Sequence, residues 1–176
     1  MKLHVKDQMF NLRKAREEDK EKILSLLVGA AEWLQTKGTS QWDYYMTDLE
    51  ANTEEVLESI KNQSTYLLEQ DGLAAASVIL EENPGDWDRE IWGEESAQTD
   101  VVYLHRLVVN RNFAGRGIGD ALMEWAKKHV RGREKKYIRF DCLNSNEGLN
   151  SYYQRQCSLK GIADVYGKHS KYEIVL

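Results

Sequence analysis

Two cysteines, Cys142 and Cys157, are all that 176 residues contain. They are too few for a disulfide framework and are not spaced as a metal-binding pair, so we expect two reduced thiols in a cytoplasmic protein. Proline is scarcer still: Pro84 stands alone. No apolar run approaches the length that spans a membrane, and the N-terminal MKLHVKDQMF lacks the apolar core of a signal peptide, so no membrane partner is expected. Positive charge is also in short supply. The net charge of −5 disfavours non-specific nucleic-acid binding, and an anionic ligand would need a local basic patch. There is no internal repeat and no low-complexity tail. What remains, 41% hydrophobic and 30% charged residues, is the composition of a soluble globular protein, and the length suits a single domain over residues 1–176.

The stretch Val101 to Lys128, VVYLHRLVVNRNFAGRGIGDALMEWAKK, reads in three pieces. Val101 to Val109 is an apolar, β-branched run of strand length. Arg111 to Gly119 is a loop holding Gly115, Gly117 and Gly119. From Gly117 onward Ile118, Ala121, Leu122, Trp125, Ala126 and His129 recur at helical spacing, so a helix begins inside the glycines. The first turn of a helix carries N–H groups without internal partners and the positive end of the macrodipole. Glycine lets such a turn take left-handed angles and approach a phosphate closely. Strand, glycine turn and helix together predict a phosphate cradle. A nucleotide triphosphate site would need Lys-Ser or Lys-Thr after the last glycine, where Asp120-Ala121 stands. The pattern G-x-G-x-G does not meet the dinucleotide fingerprint either.

Elsewhere, Met9 to Arg16 alternates as a first strand. Glu18 to Lys37 is a helix with Ile23, Leu26, Leu27, Ala30, Ala31 and Leu34 on one face. Thr39 to Tyr45 is an aromatic loop. Asn52 to Lys61 is a second helix, with Asn52 and Glu55 at capping-box spacing. Ser64 to Glu69 and Leu73 to Leu80 are strands joined through Gln70-Asp71-Gly72, a hairpin signal. Glu82 to Asp100 is irregular, acidic and contains Trp87 and Trp92; two such rings argue against disorder. Tyr137 to Leu143 is a strand and Glu147 to Gln156 a short helix. Leu159 to Tyr166 and Lys171 to Leu176 are closing strands with a turn at Gly167 to Ser170. Hairpins and strand-helix-strand crossovers in one chain predict a mixed α/β (α+β) fold, one mixed sheet with helices on both faces.

The central stretch resembles motif A of the GNAT superfamily of acyl-CoA N-acyltransferases: an apolar strand, then Gln/Arg-x-x-Gly-x-Gly/Ala, then a helix. Ala114-Gly115-Arg116-Gly117-Ile118-Gly119 occupies the six positions. Ala114 stands where the family usually has Gln or Arg, and Arg111 or Arg116 could replace that charge. The family's motif B is similar to the stretch holding Asn146, Leu149, Tyr152 and Tyr153, although Cys157-Ser158 stands where Gly-Phe is usual. The strand YLHRLVV is also similar to that of arylalkylamine N-acetyltransferases, with histidine at the position of His105. The resemblance implies a single central, mostly antiparallel mixed sheet of about seven strands flanked by about four helices. It also implies acetyl-CoA as cofactor, and direct acetyl transfer to a primary amine, small-molecule or peptidyl, through a tetrahedral intermediate. The enzyme would be a monomer or homodimer.

By the same resemblance the cofactor meets the backbone of Leu107, Val108 and Val109, the turn at Arg111, Ala114, Gly115, Arg116, Gly117, Ile118, Gly119 and Asp120, and the side chain of Asn146. Asn146 equally suits a plain helix N-cap. Tyr153 is the implied general acid: a phenol with pKa about 10 holds a proton it can give to a thiolate. It is also the kind of tyrosine that fills a core. His105 titrates near neutrality and is the base, one end of a water relay, or a satisfied histidine in a buried strand. Tyr103 shares its strand face by two-residue alternation. For the acceptor, Trp33, Trp42, Trp87, Trp92 and Tyr103 supply aromatic surface suited to a cationic amine, or close over the core. No His/Cys/Asp/Glu spacing suggests a metal. Two other readings stand beside this one: a non-enzymatic acyl-CoA-binding sensor, and a nucleotide-binding module using the same glycines.

Overall fold

The computed structural model describes every residue from 1 to 176. The strands are β1 (Lys2–Val5), β2 (Gln8–Lys14), β3 (Thr65–Gln70), β4 (Leu73–Glu81), β5 (Val101–Val109), β6 (Tyr137–Leu143), β7 (Ser158–Asp164) and β8 (Lys168–Val175). The helices are α1 (Lys20–Thr36), α2 (Tyr44–Thr47), α3 (Leu49–Lys61), α4 (Asp86–Trp92), α5 (Ile118–Arg131) and α6 (Glu147–Gln154). The eight strands form one mixed sheet in the order β1-β2-β3-β4-β5-β6-β8-β7. β5 and β6 pair in parallel; β1–β2, β2–β3, β3–β4, β6–β8 and β7–β8 are antiparallel. The sheet and helix counts exceed the expected seven and four because β1, α2 and α4 are shorter than the window over which periodicity is legible.

The chain divides into two compact units, Met1–Leu80 with Arg106–Trp125 and Glu81–His105 with Ala126–Leu176. In the first, β1 to β4 form an antiparallel meander. β3 and β4 turn through Asp71 (φ 51°) and Gly72 (φ 79°), the two positive angles a two-residue hairpin of matching twist requires. The core joins Ile23, Leu27 and Ala31 of α1 to Val56 and Ile60 of α3, Leu67 of β3 and Val108 of β5. Each Ile, Leu or Val among them contributes about 1.5–3 kcal/mol by leaving water. A polar clamp ties the start of α1 to the meander. Arg13 donates to both carboxylate oxygens of Asp19 at 2.7 and 2.9 Å and to Glu69 at 2.9 Å, and Lys22 donates to Glu69 at 2.8 Å.

Two boundaries in this unit depart from expectation. α3 starts at Leu49, and Asp48 is its cap, accepting from the Ala51 N–H at 3.4 Å. Asn52 therefore lies inside the helix, where its Nδ2 donates to the carbonyls of Tyr44 and Asp48, and no Asn52–Glu55 box forms. The aromatic loop runs into the short helix α2, around a buried Tyr45.

In the second unit the largest departure is the segment expected to be irregular. It folds as α4 followed by a 3-10 turn at Gly93–Ala97. Ile91 and Trp92 pack with Val101 and Tyr103 of β5. Arg139 of β6, almost wholly buried, holds the segment. Its Nη1 donates to the Glu95 carbonyl at 2.8 Å, its Nη2 to Gln98 at 2.6 Å and its Nε to the buried Glu173 at 2.8 Å. The same guanidinium lies 4.7 Å over the Trp92 ring. At the C-terminus β8 begins at Lys168, and the turn is shortened to Val165–Gly167, with Tyr166 (φ 48°) and Gly167 (φ 109°) left-handed.

Candidate active site

In the first unit, β5 leads into the glycines. Asn110 ends the strand firmly: its N–H donates to the Ala75 carbonyl at 2.8 Å, its Nδ2 to the Ala74 carbonyl at 2.9 Å, and its Oδ1 accepts from the Asn112 N–H. A 3-10 turn at Arg111–Phe113 follows, with Phe113 edge-on to Phe10. Gly115 (φ 74°) and Gly117 (φ 83°) are both left-handed, and α5 starts at Ile118. A Cβ at Gly115 would meet no protein atom within 4 Å, so backbone angle rather than crowding demands glycine there. The carbonyl of Gly117 accepts the first helical bond, from Ala121, which leaves the leading N–H groups of α5 without intrahelical acceptors. The geometry expected from the glycine spacing is present at Gly115 and Gly117, whereas Gly119 is ordinary helix.

The cations near this turn are arranged differently from expectation. Arg111 stacks its guanidinium on Trp33 at 3.7 Å. Arg116 donates to Gln8 at 3.4 Å and to the Asn112 carbonyl at 3.2 Å, and lies over Phe113. The third cation is Lys6, in the β1–β2 turn, whose Cε is 3.7 Å from where a Gly117 Cβ would stand. Nothing in the sequence pattern links Lys6 to Gly117, since only the return of β1 and β2 brings them together.

β5 is not a regular strand. Arg106 sits at φ 48°, a left-handed angle costly for a side chain. Its side chain pairs with Glu55 of α3. The β5–β6 ladder runs from Val101↔Tyr137 to Tyr103↔Arg139 and ends there. Beyond the irregularity Val108 is buried in the core, and Leu107 and Val109 are half-buried.

The second unit holds His105, Tyr153 and Asn146. His105 Nε2 lies 3.2 Å from Asp88 Oδ2, and the same oxygen accepts the Gly85 N–H at 3.0 Å. Glu81, Asp88 and His105 place their polar atoms within 4.8 Å of one another. Asp88 Oδ2 is shared between the Gly85 amide and the imidazole, with Glu81 beside the pair. Burial alone would lower the His105 pKa, but the hydrogen bond to Asp88 and the charges of Asp88, Asp141 and Glu81 outweigh it and raise it. A second pair lies close by: Asp141 accepts from Trp87 Nε1 at 3.0 Å and faces His169 Nδ1 at 3.0 Å, with Trp87 edge-on to the His169 ring. Neither carboxylate partner was legible in the sequence, because no local spacing links Asp88 to His105 or Asp141 to His169.

Tyr153 is buried in an aromatic group with Phe140, Tyr152 and Tyr172. Burial pushes its phenol pKa well up, so it stays protonated. Asn146 caps α6 through Oδ1, accepting from the Leu149 N–H at 3.2 Å, while its buried Nδ2 has no partner within the protein. An orphaned buried donor costs about 1–3 kcal/mol, so a ligand acceptor fits there. Of the aromatic residues, Trp33 is 36% exposed and Trp87 half-buried, whereas Trp42 packs against the core of its unit. Trp92 and Tyr103 are enclosed, at 2% and 0% exposure, and present no surface to an acceptor. Burial raises the thiols of Cys142 to about 12 and Cys157 to about 11, so neither is a ready nucleophile.

Residues 27–158 match the model of the acetyltransferase (GNAT) family. The uncharacterized N-acetyltransferase YesJ of Bacillus subtilis is 36% identical over 152 residues, covering 86% of this chain and 83% of the relative. A GNAT-family acetyltransferase crystal structure from Listeria monocytogenes superposes with a TM-score of 0.83 at 28% identity, covering all of both chains. The PaiA N-acetyltransferase of Thermoplasma acidophilum, solved in complex with coenzyme A, has a TM-score of 0.73 over 95% of this chain and 99% of its own. At 16% identity that likeness speaks for the fold alone. No helix is long and apolar enough to cross a membrane.

Proposed function

We propose, from the premise that the chain belongs to the GNAT family of acetyltransferases and is an acetyltransferase enzyme, that residues 1–176 act as one domain moving an acetyl group from acetyl-CoA to a primary amine by direct attack. Acetyl-CoA, when bound, supplies the acetyl group as an activated thioester. The observation that carries the reading is the left-handed turn at Gly115 and Gly117, which offers the leading amides of α5 with Lys6 alongside, a seat for a diphosphate. Ala114 through Asp120 hold by backbone there, and Arg111 and Arg116 keep the surroundings positive. Leu107, Val108 and Val109 contribute main-chain groups. Asn146 Nδ2 donates to an amide carbonyl of the cofactor arm.

Tyr153 acts as the general acid, its proton secured by burial. An alkylammonium with pKa about 10 must lose a proton before it can attack, and His105 accepts that proton. Trp33, Trp42 and Trp87 offer aromatic contact to a small or peptidyl amine, while Trp92 and Tyr103 support the segment from within. The reading requires no metal, nucleic acid or membrane, and places a monomer or homodimer in the cytoplasm. Family membership sets the non-enzymatic sensor aside.

The test is thiol release from acetyl-CoA over a panel of tyramine, spermidine and a peptide with a free N-terminal serine. At least one amine should turn over, and Tyr153→Phe should lower kcat by about 10²- to 10⁴-fold with KM little changed. Equal kcat in the variant removes Tyr153 from the chemistry.

A further inference from the structure

Asp88 has no role in the reading so far. It is a charged residue with 2% exposure, in the first turn of α4, and its Oδ2 faces one ring nitrogen of His105. A neutral imidazole carries one N–H, and the nitrogen that faces a carboxylate is the one that keeps it. The other nitrogen is then left with its lone pair.

We propose that Asp88 is a positioning residue: it fixes His105 as the Nε2–H tautomer and so reserves Nδ1 as the proton acceptor for the amine. This inference rests on the reading of His105 as the base. In the step, the N–H bonding pair of the acceptor ammonium stays on its nitrogen, giving the neutral amine. The Nδ1 lone pair forms the new N–H bond. His105 becomes an imidazolium whose Nε2–H still points to Asp88, so the charge arises beside a carboxylate fixed before the reaction.

The charged groups facing His105 are Asp88 from α4, Glu81 from β4 and Asp141 from β6. Asp88 Oδ2 is at hydrogen-bonding distance from Nε2, 3.2 Å away. Asp141 is engaged by Trp87 and His169. All three favour the imidazolium, and Asp88, facing Nε2, also sets which nitrogen carries the proton. Its bond to the Gly85 N–H anchors the carboxylate at α4, so its direction does not depend on a mobile side chain.

A purely structural Asp88 would cap α4 and leave His105 unchanged, and the experiment separates the two. In the full chain, nitrogen NMR of His105 should show the Nε2–H tautomer in the neutral form; finding Nδ1–H overturns the proposal without any variant. Asp88→Asn keeps an acceptor for Gly85 but removes the charge. It should lower the His105 titration midpoint by about one unit, a tenfold change in proton affinity. The acid limb of acetyl transfer to the amine that turns over fastest among tyramine, spermidine and the serine peptide should move down with it, and the alkaline plateau should fall. A folded Asp88→Asn protein with an unmoved midpoint and limb overturns the proposal. His105→Gln tests the reading beneath it: wild-type turnover there shows that His105 is not the base and removes both.

Discussion

A guanidinium buried among tryptophan, carboxylate and carbonyl groups decides the shape of a whole segment. Arg139 satisfies Glu173, Gln98 and the Glu95 carbonyl at once, and covers Trp92. Removing it leaves Glu173 buried with only Lys160, at 3.4 Å, as a charged partner. Arg139→Ala should therefore cost about 3–5 kcal/mol, read by urea denaturation, because an uncompensated buried charge is worse than none. Replacing Arg139 and Glu173 together by apolar residues should recover much of that loss. The other residue-scale prediction concerns Asp19. Its hydrogen bond to Arg13 above all holds its pKa below the ordinary carboxylate value. A depressed carboxylate contributes stability that is present above its unfolded pKa of about 3.9 and is lost as pH falls through the folded value. The stability gap between wild type and Asp19→Asn should be full at neutral pH and close below about pH 4. A gap that is constant from pH 7 to pH 3 would show that the pair is not the source.

Among elements, the turn between β5 and α5 concentrates the consequences. A side chain at Gly117 meets two penalties: a left-handed backbone angle worth about 1–2 kcal/mol, and occupation of the space beside Lys6. Gly117→Trp should keep the fold, as judged by circular dichroism, yet lose coenzyme A binding in calorimetry; unchanged affinity would remove the turn from the cofactor site. This element was legible in the sequence because everything in it is local. A β-branched run, glycines and a 3.6-residue apolar repeat lie within thirty residues of one another. β6 and the β3–β4 hairpin were legible for the same reason. α4 was not. Its seven residues are mostly acidic or aromatic, with no readable repeat, and it is helical because Ile91 and Trp92 are buried and Asp88 holds the Gly85 amide. β1 escaped notice too: a four-residue strand is stabilised by its ladder to β2, not by its own composition.

Across the whole molecule a net charge of −5 opposes an anionic cofactor, so the proposed binding should depend on a few cations set locally against the global field. Saturating coenzyme A should raise the melting temperature, at 100 times its dissociation constant by the equivalent of about 2.7 kcal/mol, whereas ATP or NAD should not. The rise should shrink at high salt, where the local cations are screened. An equal shift with ATP would favour a general nucleotide site. Residue pattern alone determined the glycine turn, the strand before it, the helix after it and the family to which they point, because each rests on neighbours a few positions apart. Tertiary structure alone decided that Lys6 stands at Gly117, that Asp88 faces His105, and that Trp92 and Tyr103 are enclosed. Those facts depend on burial and on contacts between remote segments, and no local period records which distant residue a side chain will meet.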